Sequence, residues 1–508
     1  LEPDAHPQDR VAVYRQIGVS RPPLEVVDLP TPEEVFAVKR IGLEEMVLFV
    51  LGPSMIALGT SMGSGEWLLG PLVVGKYGFT GIGWVILVSI VLQVFYNVEL
   101  ARFTLATGET PVLAFGRIPP GSVLWIPLAL FALALSFLVG GWAVNAGASL
   151  FVLFMGRPYL PEELETVRIL GIVLLALSFI FVLFGRKIER SLEIVFGVTI
   201  SFIFIGLTLV TLAVVPLSYW GHALASLVTV AAPPRGTDVT LLGALVGYAA
   251  MASGLNFLII GAYRDKGYGM GHKVGFIGGI VGGMKETLLP VGKTFPENEK
   301  NAALWRRWFR ILLIDQWGVY FTGCIVGMMA PCILVGYLSS MPGEPIPTQE
   351  TIPVYAALRL GQEYGPVLFG WALLTGFAML NNTQMGILDS LTRCVTDSSF
   401  GISAAVRKKV GNDPRWLYYL TRVALVVVMS ILIHLAPPMQ LIKMSANMAS
   451  LASMIFPLAM IYLNRQLPKP ARIQWWSYLV LLANVFFFGF FFINFVAMQM
   501  TGTALIRF

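Results

Sequence analysis

Apolar residues fall in long runs, each about as long as the roughly 20 residues an α-helix needs to cross a bilayer. Short charged or Pro/Gly-containing stretches separate the runs. The pattern predicts eleven spanning helices, at residues 46–72, 79–105, 123–153, 166–184, 190–214, 239–262, 310–337, 365–394, 417–436, 438–463 and 473–500. Two runs are interrupted by small residues. The first, "LGPSMIALGTSMGSGEWLLGP", breaks at Gly63-Ser64-Gly65, and the sixth, "LVGYAAMASGLNFLII", at Ala252-Ser253-Gly254. An odd offset of five spans turns the second copy upside down relative to the first. The expected plan is therefore two inverted five-helix repeats, 46–214 and 239–463, with an accessory helix at 473–500 and a polar tail over 1–45.

Non-helical backbone at membrane depth is tolerated only where protein buries it or where it lines a cavity. Corresponding broken helices in two halves point to a solute site between them. Close helix packing through small residues is the alternative use of such sequences.

Composition sharpens the class. The chain is 56% hydrophobic and 13% charged, against about a quarter charged in soluble proteins, which makes it an integral membrane protein. The net charge of +6 does not argue for nucleic acid, because the basic residues lie between spans. They cluster in "GRKIERS", in the long loop from Tyr263 to Arg310, in Arg407 to Lys409 and in "NRQLPKPAR", whereas "PEELE" and "GEPIPTQE" are acidic or neutral. All four basic loops share one side if the amino terminus is cytoplasmic and the carboxyl terminus external. The tail ("RPPLEVVDLPTPEE") is expected to be flexible or surface-lying, with no secretory signal before the first span. Cys324, Cys332 and Cys394 form no CxxC pair, so neither a disulfide framework nor a zinc site is implied.

With those residues in view, the chain resembles the Nramp family of divalent-metal transporters. "LGPSMIALGTSMGSGEW" is similar to that family's first helix, including Gly52, Pro53, Gly65 and Trp67. "LARFTLATGETP" resembles its second-helix exit through Ala101, Arg102, Thr107 and Gly108. "GRKIERSLEIVFG" is similar to its fifth-helix entry, and Met251 falls on its sixth-helix methionine. The resemblance implies an all-α, LeuT-type fold with ten core helices in two inverted halves plus an extra helix. It implies a transporter that is not an enzyme and needs no cofactor.

The departures fall at the chemistry. The family's Asp-Pro-Gly-Asn metal motif stands here as Gly63, Ser64, Gly65 and Glu66, and its Met-Pro-His as Met251, Ala252 and Ser253. A further family histidine is Leu258, the third-helix acidic pair is replaced by Gly140 and Ala143, and an eighth-helix polar patch becomes Asn381-Asn382-Thr383-Gln384.

Within the spans, Glu66 is the sharpest candidate, because an ionisable group there costs about 2.5–3.5 kcal/mol on insertion scales. It either contacts the substrate or braces the unwound turn. A carboxylate beside free carbonyls suits a hard cation such as Mg²⁺, ahead of Mn²⁺, while Met251 offers softer sulfur. Gly63, Ser64 and Gly65 admit another chemistry: their turn also resembles the Gly-Ser-Gly with which amino-acid transporters of the same superfold hold a carboxylate. Tyr248, Ala252 and Ser253 face them from the sixth span, and Asn381 and Asn382 from the eighth. The substrate is thus a divalent metal cation or, alternatively, a small organic solute such as an amino acid.

Asp389 and Arg393, spaced i, i+4, form a structural pair or an inner gate. Glu99 with Arg102 reads as a structural pair, and Asp315 as a residue near the interface. Asn145, Asn447 and Ser450 read as interhelical hydrogen bonds. "GYGMGHK" and "GFIGGIVGG" lack a βαβ context, so no nucleotide site is expected. His6, His222, His272 and His434 all fall outside the predicted cavity. The expected partners are the small solute or divalent cation and the lipid bilayer.

Overall fold

The computed structural model describes residues 21–46, 50–181, 188–251, 254–276 and 288–506. Ala252 and Ser253 lie outside these residues, as do Arg186, Lys187 and most of "GFIGGIVGG". Helices occupy every predicted span. Among the described residues seven stretches are long and apolar enough to cross a membrane: Gly83–Thr107, Ser122–Met155, Ile194–Val214, Glu299–Ser339, Pro414–Leu432, Pro438–Asn464 and Trp475–Thr501. Of the other predicted spans, the first and sixth are broken, the eighth is more polar, and the fourth holds the apolar helix Leu164–Phe181, which reaches the edge of the described residues.

The helices that matter below are α1 (Pro53–Ser61), α2 (Gly70–Tyr77), α3 (Gly83–Thr107), α4 (Ser122–Phe137), α5 (Gly141–Met155), α6 (Val239–Tyr248), α7 (Leu255–Lys266), α8 (Thr322–Ser339), α9 (Pro366–Ile402) and α10 (Pro438–Asn464). Their ends follow local rules. Proline opens α1, α9 and α10, where a missing N–H costs nothing. Asp238 caps α6 by accepting from Thr240 N and Leu241 N at 2.8 and 3.1 Å. Gly108, with φ 69°, ends α3.

Some elements depart from the expectation. The third span is two helices, α4 and α5, parted at Gly140, whose φ of 63° continues neither. The seventh starts earlier, at Glu299, because Glu299–Leu313 carries charge on one face and buries Trp305 and Trp308 on the other. That helix joins α8 through a π-helical stretch, Ile314–Phe321. The loop between the seventh and eighth spans forms a further helix, Ile352–Tyr364.

Small residues set the packing, as expected where lipid supplies no hydrophobic drive between helices. A Cβ on Gly247 would stand 2.1 Å from Ala446 O, so α6 lies directly on α10. A Cβ on Gly147 would stand 2.9 Å from Val167 O, which sets α5 against Leu164–Phe181. Outward, Ile194, Val198, Phe202, Ile205, Leu209 and Leu212 form an exposed apolar stripe at helical spacing, suited to acyl chains.

The described part of the tail, from Arg21 on, is firmly tied down. Glu25–Val26 pairs in parallel with Lys293–Thr294. Leu29 N donates to Asn301 Oδ1 at 3.0 Å and Trp308 Nε1 to Pro30 O at 2.9 Å. At one end Glu109 receives Arg21 at 2.7 Å and Arg117 at 2.6 Å, all three buried. Burial works against the Glu109 charge, but the Arg117 and Arg21 guanidiniums outweigh it and hold its carboxyl well below the usual range.

Replacing Glu109 by Gln leaves two buried guanidiniums short of a counter-charge and is expected to cost about 3–5 kcal/mol, read as a lowered unfolding temperature in detergent. Because the folded-state value is depressed, this contribution is complete at neutral pH and declines progressively once pH falls below about 4.3, the ordinary glutamate value. Wild type should therefore lose, on acidification, stability that Glu109→Gln has already lost.

Candidate substrate site

The first broken helix leaves α1 at Ser61. Met62 turns out of helical geometry (φ −73°, ψ 83°), and the chain re-enters as a π-helix over Gly65–Leu69 before continuing as α2. The second leaves α6 at Tyr248. Its interruption begins at Ala249 (ψ 127°), earlier than the glycine-based expectation; Ala250 has φ 65°, and Gly254, just before α7, has φ 94°. A positive φ at alanine is strained, by roughly 1–2 kcal/mol. Two donors from the seventh span hold it: Tyr320 Oη to Ala250 O at 2.6 Å and Cys324 Sγ to the same oxygen at 3.6 Å.

The two interruptions meet. A Cβ on Gly65 would stand 2.2 Å from Tyr248 O, and one on Gly63 would stand 2.1 Å from Thr383 Oγ1 on α9. Side chains take over the hydrogen bonds that the broken backbone forgoes. Glu66 Oε2 accepts from Gly63 N at 2.9 Å, Asn256 Oδ1 from Gly254 N at 3.1 Å, and Ser89 Oγ donates to Val246 O at 2.9 Å. Asn256 is itself held by Gln93 and Asn97 of α3 at 2.9 and 2.7 Å.

Beside this junction lies a cavity of about 10 Å³, about what one water needs. Its wall carries the hydroxyls of Thr60, Ser61, Ser64 and Thr383, the rings of Trp142 and Tyr248, and Gly65, Leu255 and Ile387. Trp142 Nε1 donates to Ser64 Oγ at 2.8 Å. Tyr248 is fixed by donating to Ser136 O at 2.9 Å and pairing with Ser445 Oγ at 2.8 Å, and its ring lies 5.7 Å from that of Trp142. Thr383 Oγ1 is buried without a partner. The wall is therefore neutral, half hydroxyl and half aromatic or aliphatic.

Of the residues singled out from the sequence, Ser64, Gly65 and Tyr248 stand in this wall. Gly63 lies behind it, its N–H bound to Glu66. Glu66 is fully buried but outside the wall; its Oε2 braces the turn while its Oε1 has no partner. Met251 is buried within the second break, its N–H closing on Ala249 O at 2.8 Å, and it too is outside the wall. Asn382 points to Thr199 Oγ1 at 2.5 Å and Asn381 to Met385 Sδ at 3.5 Å, so from that polar run it is Thr383 that reaches the cavity. Among the described residues no group of three or more His, Cys, Asp or Glu converges as metal ligands.

Asp389 and Arg393 do pair, at 2.7 Å, within a larger buried network. Arg393 also bridges to Asp265 on α7, and Arg264 pairs with Asp397 on α9 at 2.7 Å. The network thus straps α7 to α9 on the side of the bundle where the N-terminal segment lies, hereafter the tail side. Sequence reasoning missed Trp142, Thr60, Ser61, Arg264, Asp265 and Asp397. The i, i+4 spacing of Thr383 and Ile387 was the available signal for α9, and the Arg-Asp doublet at the end of α7 for the network. Nothing in the sequence marks Trp142.

No family model matches the chain and no curated protein matches it. Solved structures do. The manganese transporter of Eremococcus coleocola in complex with an aromatic bis-isothiourea substituted compound is 12% identical, with a TM-score of 0.57 over 91% of this chain and 90% of that one. A point mutant of the same transporter is 13% identical, with a TM-score of 0.57 over 94% and 90%. At such identities the likeness is one of fold, and the fold is LeuT-type.

Gly65→Ala is expected to lower the unfolding temperature sharply, since the new Cβ meets backbone that cannot yield. Gly221→Ala, where a Cβ meets nothing within 4 Å, serves as the neutral control.

Proposed function

We propose that this protein is a secondary or passive transporter that moves a small solute by alternating access. The substrate binds between the two interrupted helices at the position of this cavity, which widens beyond its one-water volume to admit it as two inverted halves rock around the site. One observation carries this: both helices are broken at the level where they touch, and a polar cavity opens at the contact. In this reading the amino terminus is cytoplasmic, and the Arg264–Asp397 and Asp389–Arg393–Asp265 pairs close the cytoplasmic side.

The wall favours a small organic solute, polar and uncharged or zwitterionic. Hydroxyls, backbone and two rings suit such a molecule, whereas Mg²⁺ and Mn²⁺ need carboxylates. A divalent cation is the second reading, favoured by the unmatched Oε1 of Glu66 one residue from the wall, and the solved manganese transporters share the fold.

Thermal stability of the purified protein separates the two. Under the first reading a panel of small amino acids raises the unfolding temperature with the logarithm of concentration, and chelators change nothing. Thr383→Val removes an unpartnered hydroxyl, so it leaves the basal unfolding temperature unchanged but abolishes that stabilisation. Stabilisation by MgCl₂ or MnCl₂ that Glu66→Gln cancels would establish the cation instead. If neither panel shifts the transition, and no panel solute enters proteoliposomes, the transporter reading fails.

A further inference from the structure

A second buried carboxylate lies away from the cavity. Asp315 is fully buried in the π-helical stretch Ile314–Phe321, the kind of local widening that often marks functional positions. The donors around it converge on one of its oxygens. Ser54 Oγ of α1 lies 2.7 Å from Asp315 Oδ2 and 2.9 Å from the Asp315 carbonyl. Tyr263 Oη of α7 donates to the same Oδ2. Gln316 Nε2 donates in turn to Tyr263 Oη at 2.7 Å and approaches Ser54 Oγ at 3.5 Å. On the other side of the ledger, Asp315 Oδ1 and Gln316 Oε1 are both buried with no partner.

The cluster is thus short of a donor. Ionised, Asp315 would hold charge on an oxygen that nothing solvates, a costly arrangement in a membrane interior. One proton on Oδ1 removes the charge and supplies the missing donor.

We infer that Asp315 is a proton-binding site that, when occupied, latches α1 to α7, the tail-side halves of the two broken helices. Deprotonation breaks the O–H bond at Oδ1 and releases H⁺ to water on the tail side; the carboxylate left behind draws in water, which replaces Ser54 Oγ as a donor to Oδ2 and so parts Ser54 from Tyr263. The latch rests on the alternating access proposed above; the proton site does not.

The surrounding charges are few. α1 carries no ionisable side chain. From α7, Lys266 is half-buried within electrostatic reach of Asp315, while Arg264 and Asp265 are held in the network described above. From α3, Glu99 and Arg102 pair with each other at 3.0 Å, and Tyr96 is neutral. Arg306, Arg307 and Arg310 of Glu299–Leu313 are exposed, and α8 contributes Cys324.

Infrared spectroscopy of the full-length protein tests the site. At neutral pH a protonated-carboxyl C=O band should be present, shift on ¹³C-aspartate labelling, and vanish in Asp315→Asn. Absence of an aspartic acid band in the labelled wild type overturns the proposal even if that variant does not fold, as does a band that survives in Asp315→Asn. The latch is read from N-ethylmaleimide modification of Cys394, which lines a tail-side cavity with Arg264, Arg393 and Asp397. The ratio of wild-type to Asp315→Asn modification cancels intrinsic thiol reactivity. It should rise with pH toward about tenfold per unit, the limit for one linked proton. Ser54→Ala should raise modification already at acid pH. A band with a flat ratio overturns the latch. Cys394 modification that varies with an added solute but not through Asp315 does the same, and leaves alternating access standing.

Discussion

Hydrocarbon offers no hydrogen bonds, so a helix that stops inside a membrane protein must find new partners for every backbone group it releases. In this chain the released groups are matched by side chains from inside the bundle. Glu66 takes Gly63 N–H, Asn256 takes Gly254 N–H, and Tyr320 serves Ala250 C=O. Two such breaks are sustainable because they are pressed together, and they can be pressed together only because Gly65 has no Cβ to strike Tyr248. Remove that contact and neither interruption has a place in the membrane.

From that junction the rest of the arrangement is layered along α9. Thr383, Ile387, Ser390, Cys394 and Asp397 follow one another at steps of four and three, so one face of the helix runs from the neutral cavity to the charged network. Charge is thereby kept away from the cavity and concentrated at the tail side, where Arg264, Arg393 and Arg422 pair with Asp265, Asp389 and Asp397. Glu66 and Asp315, buried carboxylates with no ion pair among the described residues, each sit near the start of a π-helical stretch. Each commits one oxygen to local donors and leaves the other unmatched. Glu66 serves the break itself, whereas Asp315 joins segments that belong to different halves of the chain.

What could be read from the linear chain were those features that depend on near neighbours. Apolar run length gave the helices, and small residues gave the two interruptions and hence the level of the cavity. Ser64, Gly65 and Tyr248 were reachable because they flank those interruptions. Asp389 with Arg393 was reachable because four residues make one turn. The extent of the second break was not, because Ala250 carries no turn signal and is held in its strained conformation by Tyr320, seventy positions away.

The amino-acid sequence by itself determined a helical membrane protein with two opposed broken helices, since hydropathy, helical period and missing side chains are local properties. Only the tertiary structure decided which polar groups face the cavity, for that depends on how helices are rotated against distant partners. It set Trp142 on Ser64, turned Asn382 away to Thr199, and bent Glu66 back onto its own turn. Burial forces each polar atom to its nearest available partner, and the partner can lie on the same turn, as for Glu66, or far along the chain, as for Asn382 and Thr199.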